Sequence, residues 1–594
     1  MPGIHIVSNT ERLSQEVLTK NLEALLHYDN YYRETLGQGQ NLWIGFTSYP
    51  GYPFETLKRG DLLVVMDGKI YGHSLRDLEE ELTGIASKWK EAGQDLSMTV
   101  KAFAEKYDGD YLIFLADLKR GNGLFFNDPL GRLSVYLAQK RGIVISREMG
   151  FILRLLKNWL EPDPQGIASY LMFSFPLGER TLYRGIRKVR GGVILRLEEG
   201  NIFEENYWKW DLGEKQKIQS VRKAAKDLRD IFLDAIKKRI MSFPSDRVIL
   251  SLSGGLDSRA IALAFKTLSV QYHPVTFLDH EGIYGKDVEI AKEVSKKLGN
   301  LTTLIELGPL KIEDIEKLIE LKGGLNYIRM SSRIHFLREI KNRFGDRISF
   351  YTGDEGDIIL PYIQMSSRVK SIEDLVHWLI VRHRVFKEGE VHRITGIDPA
   401  DIAEEIGNML AEYPEDSLYH KFLHFLIFER RFKWGFEGED RNRFFFWSLA
   451  PFYSLEFFTY AMSLEEKIKK YHRLYREFLA LLDGDLIDLP RAQWGFPITS
   501  KKVYMREFMK WVLFQLPTLT AFLDRNVDKK KVKMRDPALI DYLESCLEKS
   551  TAVKSIINVR EAKKILSQET GMERERFSAI LTVLLTFIKF SDIT

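Results

Sequence analysis

The chain has 594 residues, 45% hydrophobic and 29% charged, with a formal net charge of +4 and a single cysteine, Cys546. That length exceeds one ordinary core, so two or more globular domains are expected, and the composition excludes a disordered chain. The small net charge gives no reason to expect nucleic acid, and one cysteine excludes an internal disulfide framework or a multi-cysteine zinc site.

The start, Met1-Pro2-Gly3-Ile4-His5, shows no basic-then-apolar leader. The most apolar stretch, 444–462, is interrupted by Pro451 and Glu456 and reads as a buried helix with its approach loop, not a membrane span. A cytoplasmic protein without a membrane partner is expected. Short β-type runs at 62–66, 111–115, 124–126 and 193–197 are bounded by the turn signals Asp67-Gly68-Lys69 and Arg120-Gly121-Asn122-Gly123. With helices predicted over 75–92 and 98–107, residues 1–210 read as an α+β layered domain.

After the Tyr207-Trp208-Lys209-Trp210 cluster comes a charged linker, 211–217, and then the pattern changes. An amphipathic helix over 221–241 places Leu228, Ile231, Phe232, Ala235 and Ile236 on one face. Strands at 248–252, 275–278, 303–307 and 348–351 then alternate with helices, predicting a doubly wound parallel sheet in a second domain, 218–594. From about 372 onward the chain reads as helical. The run Phe444-Phe445-Phe446-Trp447 is expected in the core, Lys529-Lys530-Lys531-Val532-Lys533 in a solvated loop, and 554–590 in packing helices.

Two strand-end loops carry the chemistry. Ser253-Gly254-Gly255-Leu256-Asp257-Ser258 follows the first parallel strand and opens a helix. Paired glycines admit an anion close to the backbone, the helix N-terminus offers free N–H groups, and Ser253 and Ser258 add hydroxyl donors. Asp257 would repel bare phosphate, so a Mg²⁺ between them is expected. No Walker Gly-Lys-Ser/Thr pattern occurs, and the loop matches the Ser-Gly-Gly-x-Asp-Ser signature of enzymes that split ATP between the α and β phosphates. The second loop, Thr352-Gly353-Asp354-Glu355-Gly356-Asp357, also ends a strand, and two such loops can converge on one nucleotide at a topological switch point. Asp357 is the expected partner of Asp257 on Mg²⁺, and Asp354 or Glu355 is expected to face the reacting carboxylate.

With both loops in hand, the chain resembles glutamine-dependent asparagine synthetase and its relative β-lactam synthetase, to about Pro497. The family's second loop reads Ser-Gly-Glu-Gly-Ser-Asp-Glu; its metal aspartate falls on Asp357, its catalytic-side residue on Asp354, and its nucleotide-contacting glycine on Gly353. The adenine-contacting strand corresponds to His273-Pro274-Val275-Thr276-Phe277, with Asp287 opening the next helix, and Glu439-Asp440-Arg441 and Ala450-Pro451-Phe452 resemble later elements. Glu429 is a candidate base for an incoming amine. In the front half, Asp67-Gly68-Lys69-Ile70-Tyr71, Asn127-Asp128-Pro129-Leu130-Gly131 and Thr181-Leu182-Tyr183-Arg184-Gly185-Ile186 resemble segments of the family's Ntn-hydrolase glutaminase domain.

The departures are specific. The family begins Met-Cys-Gly-Ile, whereas Pro2 stands at the nucleophile's position, Asp67 replaces the oxyanion-supporting asparagine, and the Arg-Gly-Pro-Asp glutamine clamp is absent. In the synthetase half, Gln493 aligns with the family's phosphate-steadying lysine, a role Lys501 or Lys502 could take over. The resemblance implies an AMP-forming amide ligase using ATP and Mg²⁺ on aspartate or an analogue, with ammonia or an amine as nitrogen donor and no glutamine hydrolysis, and it leaves room for a homodimer. The alternative is a nucleotide-binding regulatory or scaffold protein without turnover.

Overall fold

The computed structural model describes residues 1–8, 14–39, 41–91, 96–140, 142–213, 220–243, 247–515, 536–549, 556–567 and 574–591. Part of the expected linker, 214–217, and the basic run 529–533 lie outside them.

The front half is built on two antiparallel sheets. The first contains β1 (Gly3–Ser8), β2 (Tyr32–Gln38), β3 (Leu42–Ser48), β8 (Tyr136–Ala138), β9 (Ile143–Ser146) and β12 (Ile186–Lys188), in the order β12-β8-β9-β1-β3-β2. The second contains β4 (Phe54–Arg59), β5 (Leu62–Ile70), β6 (Gly109–Asp117), β7 (Asn122–Asn127), β13 (Val193–Glu198) and β14 (Asn201–Asn206), in the order β14-β13-β7-β6-β5-β4. A two-stranded ribbon joins β10 (Glu161–Pro162) to β11 (Tyr183–Arg184). The strand period of two explains the layering. Leu63, Val65, Leu112, Phe114 and Phe125 point between the sheets. Their neighbours Val64, Met66, Tyr111, Ile113 and Phe126 pack under the helices Glu79–Lys90 and Leu96–Lys106. Helices Gln15–Glu23 and Met149–Leu155 rest on the first sheet. The result is the expected layered domain, helix on sheet on sheet on helix.

One turn expectation is corrected. Asp67-Gly68-Lys69 continues β5, paired with Leu112, Tyr111 and Asp110 of β6. Gly68 has φ 92°, and a Cβ there would stand 2.1 Å from the Asp110 carbonyl oxygen, so glycine is required by close strand approach and not by a turn.

The second half holds a parallel sheet of β15 (Arg247–Ser251), β16 (His273–Leu278), β17 (Thr303–Glu306), β18 (Ile348–Tyr351) and β19 (Trp447–Leu449), in the order β17-β16-β15-β18-β19. Four strands are those predicted. The fifth comes from the stretch read as helix and loop, which instead forms β19, a short turn at Pro451–Tyr453 and the helix Leu455–Ser463. Strand order reverses between β15 and β18, so the loops following these two neighbours open side by side. The C-terminal helix Arg574–Ser591 packs back onto the front half, with Tyr183 and Phe587 rings 4.8 Å apart. One apolar cluster accordingly runs through both halves, from Ile4 to Phe590. No helix among the described residues is long and apolar enough to cross a membrane.

Candidate nucleotide site and a closed front site

The two loops meet at the switch point. The Asp357 backbone N–H donates to Asp257 Oδ2 at 3.0 Å, joining the N-termini of the two helices that follow. A Cβ on Gly353 would lie 2.4 Å from the Ser258 nitrogen, and one on Gly356 would lie 2.9 Å from the Asp257 carboxyl carbon. Gly353 lets the two loop backbones touch, and Gly356 leaves room for the Asp257 carboxylate. Gly254 plays a similar part, since its Cβ would press on Ala492 and on the Asp287 backbone, at 2.7 and 3.0 Å. Only Gly255 keeps the open face that the sequence suggests for both glycines; there the nearest atom is Ser253 Oγ at 3.1 Å. Within the loop, Ser253 N–H donates to Ser258 Oγ at 3.0 Å, and Gly255 N–H to Ser253 Oγ at 3.1 Å.

Ser253, Gly254, Gly255 and Asp257 line a cavity of about 160 Å³ with Asp287, Gly353, Asp357, Arg491 and Gln493, while the predicted Ser258 is buried behind Ser253 and does not line it. Burial, and then the nearby Asp357 charge, raise the Asp257 pKa to about 7. Two carboxylates pressed together in this way fit a divalent cation, whose charge would relieve both. Among the described residues no cluster of three or more candidate side chains could hold a metal alone. A two-carboxylate site of this kind would suit Mg²⁺, which completes its shell with phosphate oxygens and water.

Tyr475, Arg431 and Arg491 escape the sequence reading, and Asp287, marked there only as opening a helix, joins them. The Tyr475 hydroxyl donates to Asp257 Oδ1. Gly254 N–H donates to Asp287 Oδ1 at 3.2 Å, and burial raises the Asp287 pKa. Arg431 reaches Asp357 at 3.1 Å and Glu355 at 3.0 Å, while Arg491 approaches Asp357 at 3.6 Å. Arg491 thus supplies positive charge beside Gln493. Lys501 and Lys502 line neither this cavity nor its neighbour, whereas Arg491, two positions before Gln493, lines both.

Asp354 lies off this cavity, on the crevice side toward Glu439 and Arg441. Solvent reaches its carboxylate, yet dehydration by the surrounding walls and the Glu439 charge hold its pKa well above the usual range. Glu355 sits in a left-handed conformation, φ 72°, buried and paired with Arg431. Phe277 is the next-to-last residue of β16, with the Arg333 guanidinium 3.7 Å above its ring. Glu429 does not join the site: it is buried, 2.6 Å from Lys433, and accepts the Gly178 N–H at 3.1 Å. There it ties a helix to the front half.

The front site is closed by protein. Pro2 is buried at the start of β1, and the Met1 amine pairs with Glu148. Asp67 accepts the Ile4 N–H at 2.8 Å and the Tyr52 hydroxyl at 2.6 Å, with Arg147 at 3.7 Å. Arg147 continues to Asp440 of the second half at 3.0 Å. Buried charge thus bridges the two halves where the resemblance places glutamine chemistry.

No curated protein matches the chain. Among solved structures, the allosteric regulatory enzyme of purine biosynthesis is 11% identical with a TM-score of 0.24, over 51% of this chain and 80% of that one. Glutamine phosphoribosylpyrophosphate amidotransferase from B. subtilis, complexed with ADP and GMP, is 10% identical with a TM-score of 0.23, over 64% and 88%. Likeness this weak carries no functional weight. The family comparison is local: residues 43–208, from β3 to just past β14, match the family model of the glutamine amidotransferase domain.

Proposed function

We propose that this chain is an asparagine synthetase-like amide ligase in which the second half works without glutamine hydrolysis in the first. The observation that carries this reading is the junction of the β15 and β18 loops, where Asp257 and Asp357 meet beside a phosphate-sized cavity. ATP would lie with its phosphates against Ser253, Gly254 and Gly255, and Mg²⁺ between the two aspartates and phosphate oxygens. A carboxylate oxygen of aspartate or an analogue attacks the α-phosphorus and pyrophosphate leaves. Ammonia or an amine then attacks the acyl carbon and expels AMP. Asp354, solvent-accessible and with a raised pKa, is suited to take the proton the nitrogen loses. Arg491 and Arg431 supply the positive charge that developing phosphate charge requires.

The test is exchange of labelled pyrophosphate into ATP over a panel of carboxylates, aspartate first. Exchange with at least one carboxylate is expected, with product from added ammonia or amine. Mg-ATP binding without exchange across the panel would favour the nucleotide-binding regulator instead.

A second expectation concerns glutamine. The purified protein should release no glutamate from it, with or without ATP, because Pro2 offers no nucleophile and Asp67 is held by Ile4, Tyr52 and Arg147. Glutamate formed at about one turnover per second or faster would overturn it. Pro2→Cys alone should restore nothing.

A further inference from the structure

The helix Lys502–Phe514 has two unlike faces. Val503, Glu507 and Phe514 are buried against the body of the second half. Gln364 donates to Glu507 at 3.0 Å, and Arg506 pairs with Glu507 while lying 4.9 Å from the Trp494 ring centre. The helix is therefore anchored. Its other face carries Tyr504, Phe508 and Trp511 in one row and Met505, Met509 and Val512 in the next, at the i, i+4, i+7 spacing of helical neighbours. Tyr471 extends the first row, its ring 5.0 Å from that of Tyr504, and the Phe508 and Trp511 rings stack at 6.0 Å. These seven side chains are 37% to 60% exposed, and at ~150–250 Å² for a whole aromatic side chain they present roughly 700 Å² of surface. The largest apolar patch on an ordinary monomer is ~300–600 Å².

Backbone strain holds part of this face outward. Tyr471 and His472 are consecutive non-glycine residues with φ 56° each, a left-handed pair that costs free energy unless its surroundings fix it. His472 is fixed: it is buried, 3.5 Å from Glu507, with its ring centre 4.9 Å from that of Trp494. The reversal leaves Tyr471 exposed against Tyr504. Charge marks the same end. Lys470, Arg473, Lys501 and Lys502 are exposed and form no ion pair among the described residues. The one carboxylate of the helix, Glu507, faces inward. Lys501 and Lys502 stand at the helix start, where the backbone dipole favours acids, so their placement does nothing for the helix itself. An apolar, aromatic strip with a cationic end fits a surface that is apolar beneath an anionic layer.

We propose that this face seats the protein on a membrane bearing anionic lipids, with Met505, Phe508, Met509 and Trp511 entering the acyl boundary and the four cations meeting the headgroups. No described helix can span a membrane, so the contact is peripheral, and it reverses the expectation of a chain without a membrane partner. A second copy is the poorer occupant, because its face carries the same cations and no exposed acid to meet them. The inference is independent of the ligase reading. The test is sedimentation of the full-length protein with vesicles of phosphatidylcholine alone and of phosphatidylcholine mixed with phosphatidylglycerol. Binding to the mixed vesicles is expected, about tenfold or more tighter than to phosphatidylcholine alone. Phe508→Ser with Trp511→Ser, and separately Lys501→Glu with Lys502→Glu, should each weaken it by about tenfold or more. All four side chains are exposed, so the melting temperature should stay at the wild-type value, and either pair alone keeps the test open if the other fails to fold. The proposal is overturned if the mixed vesicles are not bound, if both vesicle types are bound equally, or if the folded variants bind as wild type does. A wild-type dimer that the Phe508→Ser and Trp511→Ser pair dissolves would also overturn it, assigning the face to a second copy.

Discussion

Asp440→Ala should be among the most destabilising single changes in this protein, costing about 3–5 kcal/mol, the range for breaking a buried ion pair from one side. Asp440 is fully buried and serves three cations: Arg147 at 3.0 Å, Arg443 at 3.3 Å and Lys322 at 3.7 Å. It also accepts the Ser134 N–H at 3.2 Å. Removing it leaves Arg147 with only the longer contact to Asp67, and Arg443 with Asp110. Arg147 would then lie buried with too little opposing charge, while Lys322 keeps Glu437 at 2.7 Å, and the uncompensated charge on Arg147 produces the cost. The same cations depress the Asp440 pKa despite its burial. Its contribution is therefore present above the unfolded carboxylate value of about 3.9 and is lost only as pH falls through the depressed folded value. Urea denaturation at pH 7 is the measurement. A loss below about 1 kcal/mol, the ordinary surface-pair range, would mean the network contributes little to joining the halves. Arg147→Met should be milder than Asp440→Ala, because Lys322 and Arg443 still neutralise the aspartate.

How much of this was legible in the sequence depends on the range of the interactions involved. The parallel strands were readable because each is a short apolar run with its own turn signals, and the Ser253–Ser258 loop because its chemistry is contiguous. β19 was hidden: it has three residues inside an aromatic run, and only pairing with β18 makes it a strand. Asp67-Gly68-Lys69 carries a turn dipeptide, but strand pairing overrides it. Arg431, Arg491 and Tyr475 reach the site from separate helices and loops, and nothing local marks them, while Asp287 is marked in the sequence only as opening a helix. Glu355 is instructive. The resembling loop has glycine at this position, and here a glutamate holds a left-handed backbone, with an ion pair to Arg431 that offsets the strain. The fate of the front site was half visible. Pro2 and Asp67 could be read directly, whereas their inclusion in a charge network with Asp440 could not.

Asp257→Asn should abolish Mg-ATP binding yet make the nucleotide-free protein more stable at neutral pH. The two effects share one cause. Asp257 and Asp357 are held together by the backbone bond at 3.0 Å, and burial with mutual repulsion lifts the Asp257 pKa to about 7. A carboxylate raised in this way binds its proton more tightly when folded than when unfolded. Its contribution is fully present below the unfolded value and is lost as pH rises through the folded one. Nucleotide-free stability should then fall by up to about 1.4 kcal/mol per pH unit between about pH 4 and 7. Asparagine removes the titration, so the variant should show a flatter profile over that window and a higher melting temperature at pH 7.5. Mg-ATP, by contrast, needs the pair deprotonated, and its affinity for the wild type should climb from about pH 6 to pH 8. Asp357→Asn should separate the terms. It also loses the cation site, but it strips Arg431 and Arg491 of a counter-charge, so no gain in stability is expected. Calorimetric titration with Mg-ATP and thermal unfolding across the pH series measure both effects. Unchanged nucleotide affinity in both variants would reduce the two loops to acidic turns, and an unaltered stability profile in Asp257→Asn would show that the pair is not electrostatically strained.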